Sequence, residues 1–409
     1  MENKYKTLLC ALYLSLGPIV WFSSFTLGPI KRILLILIII AFLPYFIGRN
    51  VKGLSTFFLI AICFLATLWM NWGHHSEDVT NVILGIIEDF IFFVIGYILA
   101  KKRVLENNNS FNIVILLIPL IASFFTISNF IIGLPSWTAP GQLEKFAEKA
   151  SFGYEIEKLW QTGFSWGRNG WGCTLCLLLP FCLLLKSKIQ AFSFWIIIFF
   201  SILICGNRNG MLAGLICLFA FLFLSKMIKR KYSIGLVIGI FALFALLIIV
   251  SGTTDILTLL RLNESDDISS GRLVQYLMIP DMISEMGFWG LGHGGTAQYL
   301  FNHGLGEHSL HTTYFKILIE YGWLVGFCLL CIVIHSFRLS IHSLKSKDLY
   351  ELAMSLVLIS GLVIALFEPE VVFGTLGGYA IWWFSYGYLL SKKEQSKKEM
   401  KYGYETRVS

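Results

Sequence analysis

Long runs of apolar residues alternate with short polar segments along the whole chain. A transmembrane helix needs about 20 consecutive apolar residues, and twelve stretches of this chain approach that length. They are 7–28, 33–48, 54–72, 81–100, 111–133, 170–186, 190–205, 209–226, 233–251, 312–337, 350–368 and 371–391. The pattern predicts an all-α, polytopic membrane protein with about twelve transmembrane helices.

Lysine and arginine residues are concentrated in every second loop between the predicted helices. These loops contain Lys4 and Lys6, Arg49 and Lys52, 101–103, Lys186 and Lys188, 226–231, 338–347 and 392–401. Cytoplasmic loops of membrane proteins carry an excess of Lys and Arg, so both termini are predicted to be cytoplasmic, with a cytoplasmic tail at 392–409. Lys31 and Arg32, between the first two helices, depart from this alternation.

Composition supports the membrane assignment and excludes other classes of protein. Charged residues make up 14% of the chain and hydrophobic residues 56%, whereas a soluble domain is about one quarter charged. The net charge of +7 would suggest nucleic-acid binding in a soluble protein, but here it comes from loop residues that orient the helices. We therefore predict no nucleic-acid partner.

The nine cysteines all fall inside apolar runs. Two pairs, Cys173/Cys176 and Cys328/Cys331, have the CxxC spacing of zinc and redox sites, but each lacks the further ligands of a zinc site. They are predicted to be small core residues.

The remaining loops face the outside in this topology and carry the polar residues. They are 71–80, 134–168, 206–209, 252–311 and 368–370. The longest, 252–311, separates helices one to nine (1–251) from helices ten to twelve (312–391), and loops of this length are usually functional.

Two acidic or histidine-rich outer segments have simple interpretations. His74 and His75 with the acids at 77 and 78 are too loosely spaced to predict a metal site, so no metal or other cofactor is expected. Glu368 and Glu370 flank Pro369 in a short outer turn, for which only a turn role is predicted.

Three cationic groups stand at the outer ends of predicted helices. Arg168, Arg208 and His311 each precede or open a helix that runs inward, where free backbone N–H groups and the positive end of the helix dipole also lie. A helix N-terminus beside an arginine is a ready anion site, and arginine matches phosphate oxygens. Arg272 in the long loop adds a fourth cation. The four cationic groups together predict a site for a membrane-embedded diphosphate.

Other polar residues near these helix ends have less specific roles. Asn169 or Asn209 would cap its helix, and Asn209 would also contact the ligand. Lys316 and Glu320, spaced i, i+4, should face the bundle interior and pair. Glu88 and Asp89 would pair with a site arginine or relay protons, and these alternatives stay open.

Three motifs in this order resemble the O-antigen ligase/polymerase superfamily. "GNRNGMLAGLICLFAF" resembles its arginine-bearing span, "SSGRLVQYLMI" its loop arginine, and "GLGHGG…HTTYFKILIEYGWLVG" its "GxG…HNxxLxxxxExGxxG" block. The resemblance covers about 165–330, and Thr312 stands where the family usually has Asn.

The resemblance implies a metal-independent, inverting glycosyltransferase of the GT-C type in the bacterial inner membrane, with a periplasmic long loop and active site. Its donor would be an oligosaccharide on undecaprenyl diphosphate. By motif position, Arg208 and Arg272 would hold the diphosphate and His311 would activate the acceptor hydroxyl. Arg168, Asn209 and Glu320 are further candidate contacts to the diphosphate or glycan.

Three functions remain open. A polymerase would join lipid-linked repeat units, a ligase would transfer the finished glycan to lipid A-core, and a transporter would move the lipid-linked sugar without chemistry. The segments "TGFSWGRNGWG" and "SSGRLVQY" favour the polymerase. A transporter should show broken helices near the midplane, whereas the polar groups gather at one face. A chain-length regulator and a flippase are the expected protein partners.

Overall fold

The computed structural model describes residues 2–22, 28–46, 79–105, 109–132, 168–205, 207–224, 272–305, 310–369 and 380–408. Within these ranges every regular element is a helix and no strand occurs, which confirms the predicted all-α fold. The elements are α1 (Glu2–Phe22), α2 (Gly28–Phe46), α3 (Val79–Lys101), α4 (Asn109–Ile132), α5 (Arg168–Leu178) with a 3₁₀ turn (Leu179–Leu184), α6 (Lys188–Ile204), α7 (Arg208–Phe219) with a π-helical turn (Ala220–Leu224), α8 (Arg272–Leu277), α9 (Ile279–Glu285), α10 (Gly295–Asn302), α11 (Thr313–Ser343), α12 (Leu349–Ile364) and α13 (Ala380–Val408).

Each predicted helix that falls among the described residues is a helix in the structure, and the one at 371–391 is described from residue 380 onward. The predicted helices at 54–72 and 233–251 lie outside those residues. Two described helices, Asn109–Ser128 and Thr313–Ser343, are long and apolar enough to cross a membrane, and the other apolar helices of the described part are shorter. The number of twelve membrane spans therefore stays a prediction.

Two helix boundaries differ from the sequence prediction in ways that matter. α12 ends at Ile364, so Glu368 lies in the following turn rather than at the end of a helix. α13 continues to Val408, through most of the tail predicted at 392–409. The apolar pattern stops near residue 391, but the lysines and glutamates beyond it are good helix formers and continue the helix.

The bundle is organised around α12, which is buried along nearly its whole length. It packs against α5, α7, α11 and α13. Large apolar side chains on the outer helices are exposed instead, among them Ile40, Phe124, Ile189 and Phe327. Exposed apolar faces on several helices are unfavourable in water and are expected where helices contact lipid.

The close approach of α3 to α13 depends on two glycines. Gly96 lies against the backbone of Phe384, and Gly387 lies against the backbone carbonyl of Phe93. A Cβ atom at either position would overlap these backbone atoms. Small residues at crossing points let membrane helices approach closely, which here brings the C-terminal helix into the core.

Gly387→Ala is therefore expected to destabilise the bundle. The new methyl group would meet rigid backbone rather than a movable side chain, and overpacking of this kind costs about 1–3 kcal/mol. The loss of stability is measured as a lower midpoint of thermal unfolding in detergent, with the folded fraction at each temperature determined by size-exclusion chromatography. Gly214→Ala is the matched control, because its nearest atoms belong to the Phe199 ring, which can move. Equal midpoints for the two variants would contradict this account of the α3–α13 contact.

One end of the bundle joins segments that the charge pattern assigns to the cytoplasm. Lys392 forms an ion pair with Asp348 at 3.0 Å, and the amide of Gln395 donates to the carbonyl of Ala100 at 3.1 Å. The polar segments that contain Ala100, Asp348 and Lys392 therefore meet at the same end of the bundle. Of the residues assigned to the outer side, Asn209, His311 and Glu368 meet at the other end and belong to the candidate site.

Candidate active site at a junction of helix N-termini

The two Arg-Asn-Gly triplets open neighbouring helices. α5 begins at Arg168 and α7 at Arg208. A Cβ atom on Gly172 would lie 2.5 Å from the Cβ of Asn207, and one on Gly210 would lie 3.0 Å from the carbonyl oxygen of Gly172. Close packing at these glycines sets the two N-termini side by side, so their free N–H groups share one region.

The residue that caps α7 is Asn207. Its backbone is extended and its side-chain oxygen accepts from the N–H of Gly210. The prediction that Asn169 or Asn209 caps a helix is wrong, because both lie inside helices whose first residues are Arg168 and Arg208. The side chain of Asn209 is buried and donates to Glu368 instead.

Glu368, which follows α12, connects the predicted site residues. Its Oε1 accepts from Asn209 and from the Nη2 of Arg272 at 3.1 Å. Its Oε2 lies 3.9 Å from the Nδ1 of His311. One buried carboxylate thus gathers a residue from α7, one from α8 and one from the start of α11.

The backbone of His311 is fixed on two sides. Its N–H donates to the side-chain oxygen of Gln275 at 3.2 Å, and its carbonyl accepts from the hydroxyl of Tyr276 at 2.9 Å. The hydroxyl of Thr313 donates to the carbonyl of Glu368 at 2.7 Å. These bonds join α8, α11 and the turn after α12, so Arg272 and His311 are held by a common set of contacts.

The electrostatics of the site are dominated by the burial of Glu368. Burial raises the pKa of this carboxyl, and the Arg272 guanidinium and the Asn209 amide oppose that rise. Burial also raises the pKa of Tyr276, which keeps its hydroxyl a donor. The side chains of Arg272 and His311 are 17% and 29% exposed, so both retain an accessible surface beside the buried carboxylate.

The other predicted site residues take different positions. Arg208 opens α7 directly beside Asn209 and is partly buried, whereas the side chain of Arg168 lies outside the described residues. Glu320 is buried and accepts from the hydroxyl of Thr296. Glu88 and Asp89 are buried close to Tyr13 in α1.

Metal chemistry has no obvious location in the described part of the chain. No group of three His, Cys, Asp or Glu side chains there is placed to hold an ion. The histidines and acids at 74–78 lie outside the described residues. The described cysteines are free thiols, and Cys173 and Cys176 are buried in the core as the sequence predicted. The core prediction is wrong for Cys331, which is exposed, and Cys328 is only partly buried.

The arrangement has the properties of an anion site with an adjacent base. A guanidinium and several helix N-termini converge on one region, where they would attract a phosphate group. The imidazole of His311 lies next to a carboxylate, which favours a proton on Nδ1 and leaves Nε2 as the acceptor. Glu368 was not predicted from the sequence as a site residue, although a partly buried arginine at that end favours a carboxylate partner.

The sequence around this site also matches a known family. Residues 192–331 match the sequence model of the family described as O-antigen ligase, and the matched region includes Arg208, Arg272, His311 and Glu320. No curated protein matches the chain. The family and the apolar helices indicate a membrane protein with a glycosyltransferase-like function in lipopolysaccharide biosynthesis. Residues 192–331 are therefore similar to the O-antigen ligase family, in agreement with the resemblance of the chain's motifs to the O-antigen ligase/polymerase superfamily.

Proposed function

We propose that this protein is a surface-polysaccharide polymerase of the bacterial inner membrane. It transfers a glycan from undecaprenyl diphosphate to a sugar hydroxyl of another lipid-linked repeat unit, at the periplasmic face and without metal. The observation that carries the proposal is the contact of Arg272, Asn209 and His311 with the single carboxylate of Glu368 at a junction of helix N-termini.

Diphosphate recognition falls to the cations and the helix ends. Arg272 uses Nη2 to bind Glu368, and a guanidinium has further N–H groups that remain for phosphate oxygens. Arg208 and Arg168 stand at the neighbouring helix starts. Negative charge grows on the departing oxygen, so these groups stabilise the transition state more than the ground state.

The acceptor is activated by His311. Its Nδ1 faces Glu368, so Nε2 takes the proton from the acceptor hydroxyl. The hydroxyl oxygen then bonds to the anomeric carbon from the face opposite the diphosphate. The bond from that carbon to the diphosphate oxygen breaks, its electron pair leaves with the diphosphate, and the configuration inverts.

The proposed topology follows the charge pattern and the two ends of the bundle. The segments that contain Lys392 and Asp348 would lie in the cytoplasm together with both termini. The junction at Glu368 would then face the periplasm, where lipid-linked repeat units are presented. A chain-length regulator and a flippase remain the partners expected for a polymerase.

A ligase that transfers glycan to lipid A-core is the second candidate, because it shares the donor and the chemistry and is the activity named in the family description. The lipopolysaccharide profile of a deletion strain separates the two. Loss of a polymerase leaves core carrying a single repeat unit, whereas loss of a ligase leaves bare core and polymer on the carrier lipid. Bare core in the deletion strain would overturn the polymerase proposal.

A transporter is the third candidate and is tested with purified protein. Detergent-solubilised protein, incubated with a defined undecaprenyl-diphosphate oligosaccharide and no other protein, should form longer lipid-linked chains. A transporter would leave the oligosaccharide unchanged, since it catalyses no bond formation.

A further inference from the structure

A second buried polar cluster lies on α11, on residues that neither the diphosphate nor the acceptor step uses. The side chain of Glu320 is only 1% exposed. Its Oε1 accepts from the hydroxyl of Thr296, and its Oε2 lies 3.9 Å from the Nδ1 of His293 without a hydrogen bond. His293 Nδ1 is 2.7 Å from the hydroxyl of Tyr321. The cluster thus joins α10 and the turn before it to α11.

The backbone reinforces the same connection. α11 is kinked at Gly322, where φ is +79°, and the kink frees backbone groups of the helix. The carbonyls of Ile319 and Glu320 accept from the N–H groups of Leu291 and Gly292, at 2.8 and 3.0 Å. A Cβ atom on Gly290 would lie 2.5 Å from the carbonyl oxygen of Glu320. The glycine-rich segment therefore docks onto the kink.

This connection continues to the catalytic groups through apolar packing. Ile279 and Met282 of α9 pack in one cluster with Leu310 and Ile319, and α9 directly follows α8, which begins at Arg272. Leu310 immediately precedes His311. A shift of α10 or of the docked segment relative to α11 would therefore be transmitted to the spacing between Arg272 and His311.

We propose that Glu320 is a positioning residue, which fastens residues 290–303 to the kinked part of α11 and so keeps Arg272 and His311 at their working separation. The link to catalysis rests on the proposed transferase function. This role replaces the glycan contact that the sequence suggested for Glu320. Its buried carboxylate is already engaged with Thr296 and turned toward His293, and it contacts protein groups rather than solvent.

The kinetic test compares Glu320→Ala and Thr296→Val with the conservative variant Thr296→Ser in the purified transferase assay. Misplacement of a catalytic group by about 1 Å can cost 100-fold, so kcat per folded molecule should fall about 10- to 100-fold with the donor KM unchanged. Thr296→Ser keeps the hydroxyl and should have a kcat close to that of the unsubstituted protein. The double variant Glu320→Ala/Thr296→Val should be no slower than Glu320→Ala alone, because both changes remove the same contact. A raised donor KM with normal kcat would instead indicate a glycan contact and overturn the proposal. Unchanged kcat per folded molecule would also overturn it.

Hydrogen exchange tests the docking without reference to activity. In Glu320→Ala, peptides covering 288–303 should exchange faster than in the unsubstituted protein, while a peptide within 350–362 should be unaffected. Unchanged exchange at 288–303 would refute the docking role. If exchange rises but Arg272→Ala retains full transferase activity, the docking role is supported and the proposed catalytic site is wrong.

Discussion

Replacement of Arg272 by alanine is expected to abolish glycan transfer while the protein still inserts and folds. The guanidinium stands at the junction of helix starts, bound to Glu368 and still partly exposed. Loss of one preorganised group that stabilises a developing anion costs about 100- to 1,000-fold in rate. The rate should be measured with purified protein and a defined lipid-linked donor, alongside the polysaccharide made by a complemented deletion strain.

Two controls make this result specific to the site. Arg272→Lys keeps a charge but loses the planar fork that matches phosphate oxygens, so it should recover only part of the rate. Arg338→Ala removes an exposed arginine near the other end of α11 and should leave transfer intact. A folded Arg272→Ala protein with normal polymer output would show that Arg272 does not hold the leaving group.

The helical fold was largely predictable because apolar runs are local features of a chain. Which side chains meet at a helix end is not local. Asn209 and Glu368 are separated by 159 positions in sequence and meet only because α7 and α12 pack together. The alternation of charge predicted that both would lie at the same end, but it contained no information on which side of each helix turns inward.

A shift of one residue in a helix start changes the role of an asparagine. Successive helix residues point about 100° apart, since 3.6 residues make one turn. With α7 beginning at Arg208, Asn207 becomes the cap, and Asn209 is directed to Glu368. Sequence patterns place helix boundaries only to within a few residues, which is why the capping prediction failed. Asn209, for which the sequence suggested a contact to the ligand, binds Glu368 in the structure.

Glu320 illustrates a different limit. The i, i+4 spacing with Lys316 correctly predicted that both residues would be buried. It did not predict Thr296 as the hydrogen-bond partner, because that contact depends on the docking of a glycine-rich segment onto a kink. The positive φ at Gly322 is invisible to helical periodicity, although glycine is the residue that such a backbone conformation requires.

The second large effect is expected for Glu368→Gln, which replaces the carboxylate with a neutral side chain of the same shape. Without the negative charge, His311 loses the group that orients its Nδ1 and would stabilise its protonated form. General-base catalysis contributes about 100- to 10,000-fold, so kcat should fall by about 100-fold or more. The neutral glutamine imitates protonated Glu368. The rate of the unsubstituted enzyme should therefore fall toward the low rate of the variant as the pH falls through the raised pKa of Glu368.

Stability should change with pH in the opposite direction. Because burial raises the pKa of Glu368, the folded protein holds this proton more tightly than the unfolded chain does. The stabilising contribution is therefore complete below the unfolded-state pKa and is lost as the pH rises through the folded-state pKa. Relative to Glu368→Gln, the unfolding midpoint of the unsubstituted protein should rise as the pH is lowered, whereas its rate should fall.

Glu351→Gln, which removes a carboxylate from the opposite end of α12, is the matched control for both measurements. In this control variant the rate and the unfolding midpoint should change with pH as they do in the unsubstituted protein. If Glu368→Gln retains normal kcat at neutral pH, Glu368 does not act on His311, and the contact at 3.9 Å has no part in the reaction. If kcat falls but the unfolding midpoints of Glu368→Gln and the unsubstituted protein differ by the same amount at every pH, Glu368 orients His311 but its pKa is not raised by burial.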